Sequence, residues 1–443
     1  MKRSEESVDM DKKRWVTLVA SCLINLCIGS ANAWSVFSSP MAEYLSPFAA
    51  AALTAGSMAI VFTVANGVSP FTMISGGAIN DKLGPRWAVF IGGLLEGGGM
   101  ILTSFAHSLA MVIIGYGIIS GLGMGLIYSC TIGNTIKLFP DKRGMAGGLA
   151  TATYGLSTTV VAPIARAMIG KMGVMPTFRT LGIVYLLIIC IGAFLIVRCP
   201  AGYAPKGYVH AAVDTGDESA NLNWKQMLAS PVFYAMLLML LCGAFFGLMI
   251  ISQAKSIAEN MVGMMESATT AVAILALFNT GGRLICGVLA DKLGNLRTLV
   301  GALILAIVGL ILLFSCSVGT TVRFVIGVCI VGICYGAFMG IFPGFTSSQF
   351  GSKNNSTNYG IMFVGFALAG FLGPSAMKTV YDKTGSYQPA FLIAIGLAVL
   401  GVGAAFLFML FDRKRLGQRG LAIRNRSQRE YYTNKQKPKR RVK

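Results

Sequence analysis

The sequence predicts an all-α membrane protein with twelve transmembrane helices in two pseudo-symmetric six-helix bundles. Three observations predict it. Hydrophobic residues fill 55% of 443 positions and charged residues only 12%, about half the charged share of soluble domains. Apolar runs long enough to cross a bilayer, about 20 residues each, recur along the whole chain. The charged turn "DKLG" is written twice, at 81–84 and 291–294, each time just past such a run.

In chain order the spans are expected at about 15–37, 53–79, 87–106, 109–136, 145–169, 178–198, 231–254, 267–290, 297–316, 321–346, 357–380 and 388–411. The first six form an N-terminal bundle over 15–198, after a cytoplasmic N-terminus at 1–14. The last six form a C-terminal bundle over 231–411, followed by a basic cytoplasmic tail at 412–443. The segment between them, 199–230, is a cytoplasmic linker that holds the acidic cluster Asp214, Asp217 and Glu218. At its end, "NWKQMLASP" (223–231) reads as an interfacial amphipathic lead into span 7.

Charge orients the chain, because Lys and Arg collect on the cytoplasmic side. With the N-terminus inside, 29 of the 37 Lys and Arg fall in inner segments and 6 in outer loops, while Arg166 and Arg283 lie within spans. Both termini are therefore expected in the cytoplasm. The net charge of +20 comes largely from the tail beyond Asp412, which suits anionic lipid headgroups; no nucleic-acid partner is expected. The ten cysteines lie almost entirely in apolar runs without a CxxC pair, and there are two histidines. Neither a metal nor a cofactor is expected.

The twin turns imply a duplicated six-helix unit. Each follows the second span of its set and has a Gly four residues before the Asp, Gly77 and Gly287. Tyr128 with Gly133 in span 4 and Tyr335 with Gly340 in span 10 repeat the same spacing. Parallel repeats of this kind belong to transporters with a midplane site between the halves. Asp81 can accept hydrogen bonds from a neighbouring helix N-terminus while Lys82 and Arg86 hold the headgroups, a chemistry suited to a gate. Asp291 and Arg297 take the same places in the second copy.

Charges at membrane depth are costly and mark function. Arg283 lies midway along span 8 in "LFNTGGRLICG", with Asn279 one turn earlier on the same face. Its planar guanidinium matches a carboxylate bidentately, so an anion is the expected cargo. The competing reading is a structural pair of Arg283 with Glu96 of span 3. Glu96 itself is either a proton site or a locally satisfied polar residue. Tyr128, Tyr154 and Tyr335 would add neutral donors around the anion, with Asn32 and Trp34 of span 1 beside them.

The pattern G-x3-D-[RK]-x-G-x-[RK] at the twin turns resembles the signature loop of the major facilitator superfamily, and the resemblance covers all twelve spans. "NAWSVF" (32–37), "LFPDKRG" (138–144), "YGLS" (154–157), "NTGGRL" (279–284), "FPGFTSSQFG" (342–351) and "NYGIMFVGF" (358–366) are similar to the oxalate/formate antiporter family, which adjoins the monocarboxylate transporters. The resemblance implies the major facilitator fold, Arg283 on the substrate carboxylate, and Tyr128, Tyr154 and Tyr335 lining the cavity. Oxalate-transporting members carry a Lys in span 11, where this chain aligns Phe366. Two cations suit a dianion and one suits a monoanion, since an unpaired charge is expensive in a low dielectric.

Formate, lactate or pyruvate is therefore expected ahead of oxalate. Animal monocarboxylate transporters place an Asp where this chain has Asn279, so proton coupling would need another carrier, such as Glu96; exchange of one carboxylate for another needs none. The expectation is a monomeric secondary transporter of the plasma (inner) membrane. The alternatives are an oxalate/formate antiporter and, from another class, a carboxylate-sensing receptor. No acid pair, metal cluster or nucleophile triad supports an enzyme.

Overall fold

A computed structural model of the chain describes residues 2–49, 53–200, 203–205, 221–265 and 267–435; side chains at 2–9, 55–56, 81, 269, 414 and 416–435 lie outside that description. The Asp81 carboxylate, the acidic cluster Asp214, Asp217 and Glu218, and most of the basic tail thus fall outside the described residues.

The first span is α1 (Lys2–Ile28), continued through a 3-10 turn (Gly29–Ala33) into α2 (Trp34–Leu45). Spans 2 and 3 are α3 (Ala55–Leu83) and α4 (Pro85–Thr103). The fourth is assembled from α5 (Leu109–Val112), a π-helical segment (Ile113–Ser120) and α6 (Gly121–Leu138). Spans 5 and 6 are α7 (Arg143–Met172) and α8 (Val174–Leu195). After the short α9 (Trp224–Leu228) come α10 (Pro231–Ile257), α11 (Ala268–Leu293), α12 (Asn295–Phe314) and α13 (Thr321–Phe350), spans 7 to 10. Span 11 is broken into α14 (Asn355–Met362) and α15 (Val364–Thr384), and span 12 is α16 (Gln388–Lys435). The architecture is the expected one: all helix among the described residues, six crossings in each half.

Ten of these stretches are long and apolar enough to cross a membrane by composition. The other two crossings have identifiable reasons for their lower hydropathy. α4 carries Arg86, Glu96 and several glycines, and α7 is built from Gly, Ala and Thr. Small residues let helices approach closely where packing, not burial from water, drives association.

The twin turns adopt one backbone conformation. Gly84 has φ 93° and ψ 163°, Gly294 φ 93° and ψ 146°. Each ends one helix, its N–H donating to the carbonyl four residues back at 2.9 Å, and each begins the next. A side chain is disfavoured at this φ, which is why both copies of the turn place Gly there.

Two features depart from the expected span limits. α1 begins at Lys2, and α16 runs on to Lys435 rather than stopping near 411. The start of the tail is fastened: Arg415 donates to the Gln349 carbonyl at 3.1 Å and to Asp412 at 2.8 Å. α9 is amphipathic as its sequence implies, burying Met227 and exposing Trp224, with a reciprocal Asn223–Gln226 capping box. Exposed Phe71, Ile191, Ile285 and Phe371 would aggregate a water-soluble protein; on membrane spans they suit lipid.

Candidate functional site

The halves meet along a seam whose described hydrogen bonds run from mid-bundle to the end that carries both termini. The Asp291 carboxylate lies over the start of α7, accepting from the Gly144 N–H at 2.7 Å and the Met145 N–H at 2.8 Å. A helix N-terminus has orphan amides and a partial positive charge, so a carboxylate placed there acts as a cap from across the seam. The approach is close because α7 and α11 meet at glycines: a Cβ on Gly287 would collide with the Gly144 carbonyl. On the pseudo-symmetric side the Asn80 amide donates to Ser356 Oγ at 2.7 Å, one residue before the turn that holds Asp81. Lys137 adds a bond to the Lys353 carbonyl at 3.0 Å.

Arg86 and Arg297 do not join this seam in the same way. Arg86 is exposed and donates to the Phe194 carbonyl at 3.2 Å, within its own half. Arg297 is exposed, with no hydrogen bond among the described residues.

Two turns of α11 above Asp291, about 12 Å, the seam encloses Arg283. It is only 5% exposed. Its Nη1 donates across the seam to the Thr151 carbonyl of α7 at 2.7 Å, and its Nε to Asn279 Oδ1 at 3.3 Å. Gly155 of α7 leaves room for the guanidinium, and Gly336 and Gly340 of α13 pack on the backbone of the same turn. Both hydrogen-bond partners are neutral, and among the described residues no acidic side chain forms an ion pair with Arg283. The pairing of Arg283 with Glu96 weighed from the sequence is therefore not made.

Aromatic rings from both halves gather here. Tyr128 and Tyr154 pack edge to face at 5.0 Å, Tyr128 lies 5.8 Å from Phe363, and Phe363 stacks on Phe366 at 4.4 Å. The Tyr128 and Tyr359 hydroxyls interact across the seam. Tyr128, Tyr154, Tyr335 and Tyr359 all lie within electrostatic reach of Arg283. Such a group can hold a small anion between one fixed cation and several neutral donors.

Asn32 and Trp34 are placed differently. Asn32 is exposed, in the 3-10 break of span 1. Trp34 stacks on Tyr116 at 4.9 Å and donates to the Met58 carbonyl at 3.0 Å, inside the N-terminal half. Glu96 is also inside that half. It is fully buried, and among the described residues neither carboxyl oxygen has a hydrogen-bond partner, so no local satisfaction of this residue is seen there. Among the described residues no group of three His, Cys, Asp or Glu could hold a metal.

Residues 19–374 match the profile of the Major Facilitator Superfamily. The chain belongs to the major facilitator superfamily. It is 27% identical over 359 residues to the uncharacterized MFS-type transporter YhjX of Escherichia coli, covering 81% of this chain and 86% of that one. It is 25% identical over 414 residues to the oxalate:formate antiporter of Oxalobacter formigenes, covering 93% and 94%. Human monocarboxylate transporter 11 is 26% identical over 399 residues, covering 87% and 81%. The crystal structure of the MFS transporter FucP in the outward conformation shares the fold, with a TM-score of 0.66 at 16% identity, covering 89% of this chain and 99% of that one. This protein is accordingly an integral membrane transporter of a small molecule.

Sequence reasoning missed three members of this candidate site. Thr151 contributes only its carbonyl, which no side-chain argument can find. Tyr359 and Phe363 sit in "NYGIMFVGF", a segment singled out for its resemblance alone.

Proposed function

We propose that this transporter carries small monocarboxylates, such as formate, lactate or pyruvate, by alternating access between its halves, 15–198 and 231–411. Arg283 anchors the carboxylate, with Tyr128, Tyr154, Tyr335 and Asn279 around it and Phe366 closing the side where a second cation would recruit a dianion. The observation that carries the reading is Arg283 itself: a permanent charge, almost wholly buried at the seam, answered among the described residues by a carbonyl and an amide oxygen. A buried cation with neutral partners favours an anion strongly, since removing water from a charge costs several kcal/mol that an opposite charge offsets. Similarity to an oxalate:formate antiporter and to a monocarboxylate transporter supports the cargo class.

With both termini in the cytoplasm of an inner membrane, the closed seam is the cytoplasmic gate, and the state is one that receives substrate from outside. Asp81 and Asp291 then lock that gate, and opening it breaks the Asp291 cap. Asn32 and Trp34, in and beside the break of span 1, form the outer margin of the path, and the protein works as a monomer.

The test is uptake of labelled lactate into liposomes holding the purified protein, with the lumen either loaded with formate or empty under an inward proton gradient. Saturable uptake in either arm supports the reading. Oxalate carried in preference to lactate would move it to the oxalate/formate antiporters, and carboxylate binding without any transport would favour a receptor.

A further inference from the structure

The N-terminal half buries a carboxyl group that the seam does not use. Glu96, on α4, is fully buried, and neither of its oxygens has a hydrogen-bond partner among the described residues. The described titratable groups within electrostatic reach of Glu96 are Cys27 of α1, Tyr116 of the π-helical segment, Tyr185 of α8 and Tyr154 of α7. All are uncharged at neutral pH, and no Lys, Arg or His is among them. An ionised carboxylate here would carry an unbalanced charge costing several kcal/mol, so the group is held as the carboxylic acid.

Its surroundings are those of a moving part. The π-helical stretch Ile113–Ser120 packs on α4 and hydrogen-bonds it through Ser120 Oγ to the Glu96 carbonyl at 3.0 Å. Opposite lies the 3-10 break Gly29–Ala33 of span 1, where Gly29 rests on the Tyr154 carbonyl and Ser30 is the polar neighbour of Tyr185. Interruptions of both kinds inside helices mark hinges and functional sites. Tyr154 is the connection to the substrate seam, being within electrostatic reach of both Glu96 and Arg283.

We infer that Glu96 is the proton site of this transporter. In the state seen here its carboxyl O–H is intact and buried; when the halves rearrange about span 1 and water reaches α4, the O–H bond releases its proton to that water and leaves a carboxylate, which is reprotonated from outside in the next cycle. One proton then travels with one carboxylate anion, and the cycle moves no net charge. The inference rests on the monocarboxylate reading above for its cargo, and on Glu96 alone for its proton.

The experiment compares wild type with Glu96→Gln, which keeps the shape and neutrality of the acid and so leaves packing in place. Liposomes containing either protein receive labelled lactate under an inward proton gradient, and in parallel with lactate on both sides and no gradient. Wild type is expected to accumulate lactate with the gradient and to acidify the lumen, read by a trapped pH-sensitive dye. Glu96→Gln is expected to lose accumulation and acidification while keeping lactate-for-lactate exchange. Full gradient-driven accumulation by Glu96→Gln, or wild-type uptake indifferent to the gradient, would overturn the proton assignment. Should wild type carry no carboxylate at all, the cargo reading falls and the proton site is decided separately. The infrared pH-difference spectrum of the purified protein then shows a protonated-carboxyl C=O band that Glu96→Gln removes, or it lacks that band and the assignment is wrong.

Discussion

Arg283 and Glu96 are buried within spans in two surroundings, and the difference separates the two roles proposed for them, holding a substrate and holding a proton. The guanidinium sits on the seam, bonded to both halves through Thr151 and Asn279. The carboxyl sits inside one half with no hydrogen-bond partner among the described residues. A guanidinium cannot become neutral, so once buried its charge must be answered by acceptors or by an anion. A carboxyl can discard its charge, so burial is tolerable for as long as it is protonated.

The comparison breaks most directly at the seam. Arg283→Gln removes the anchor of the anion and should cost about 2–5 kcal/mol of substrate binding, a loss of roughly 30-fold or more in lactate affinity, read as the collapse of uptake by protein that still inserts. Phe366→Lys adds a second cation beside Phe363, and the new charge-assisted contact should strengthen oxalate binding by about 1.5–3 kcal/mol, measured by competition of oxalate against lactate. If oxalate gains nothing, the count of cations does not set the cargo.

Smaller effects sharpen the same contrast. Asp291→Ala uncaps α7 from across the seam and should release about 1 kcal/mol of gate closure, changing the maximal exchange rate while leaving the lactate KM in place. An unchanged rate would make the second "DKLG" turn a passive loop. Trp34→Phe loses the hydrogen bond to the Met58 carbonyl and should lower thermal stability by about 1 kcal/mol with no change in lactate KM; a raised KM would bring Trp34 into the binding cavity.

Much of this was legible in the sequence because the membrane imposes simple rules. Span count follows from apolar length, and the duplication follows from two copies of a turn whose glycines need the same positive φ. Arg283 was visible because charge is rare in apolar spans, and the neighbouring tyrosines because the repeat pairs Tyr128 with Tyr335. The cap of Asp291 on Gly144 and Met145 was foreseen in kind, as a carboxylate on a foreign helix end, but its partner helix was not. Backbone acceptors such as the Thr151 carbonyl leave no mark on side-chain pattern. The isolation of Glu96 was likewise hidden, since a sequence can show that an acid is in a span but not that nothing answers it. Helix breaks at Gly29–Ala33 and Ile113–Ser120 arise from packing between spans and carry no fixed signature.

The most direct test of the central claim is calorimetric titration of lactate into the purified transporter, with wild type, Arg283→Lys and Arg283→Gln compared at equal thermal stability. The account predicts clear binding to wild type, weakened binding to Arg283→Lys, whose point charge lacks the bidentate fork, and none to Arg283→Gln. Lactate bound by Arg283→Gln as tightly as by wild type would contradict it.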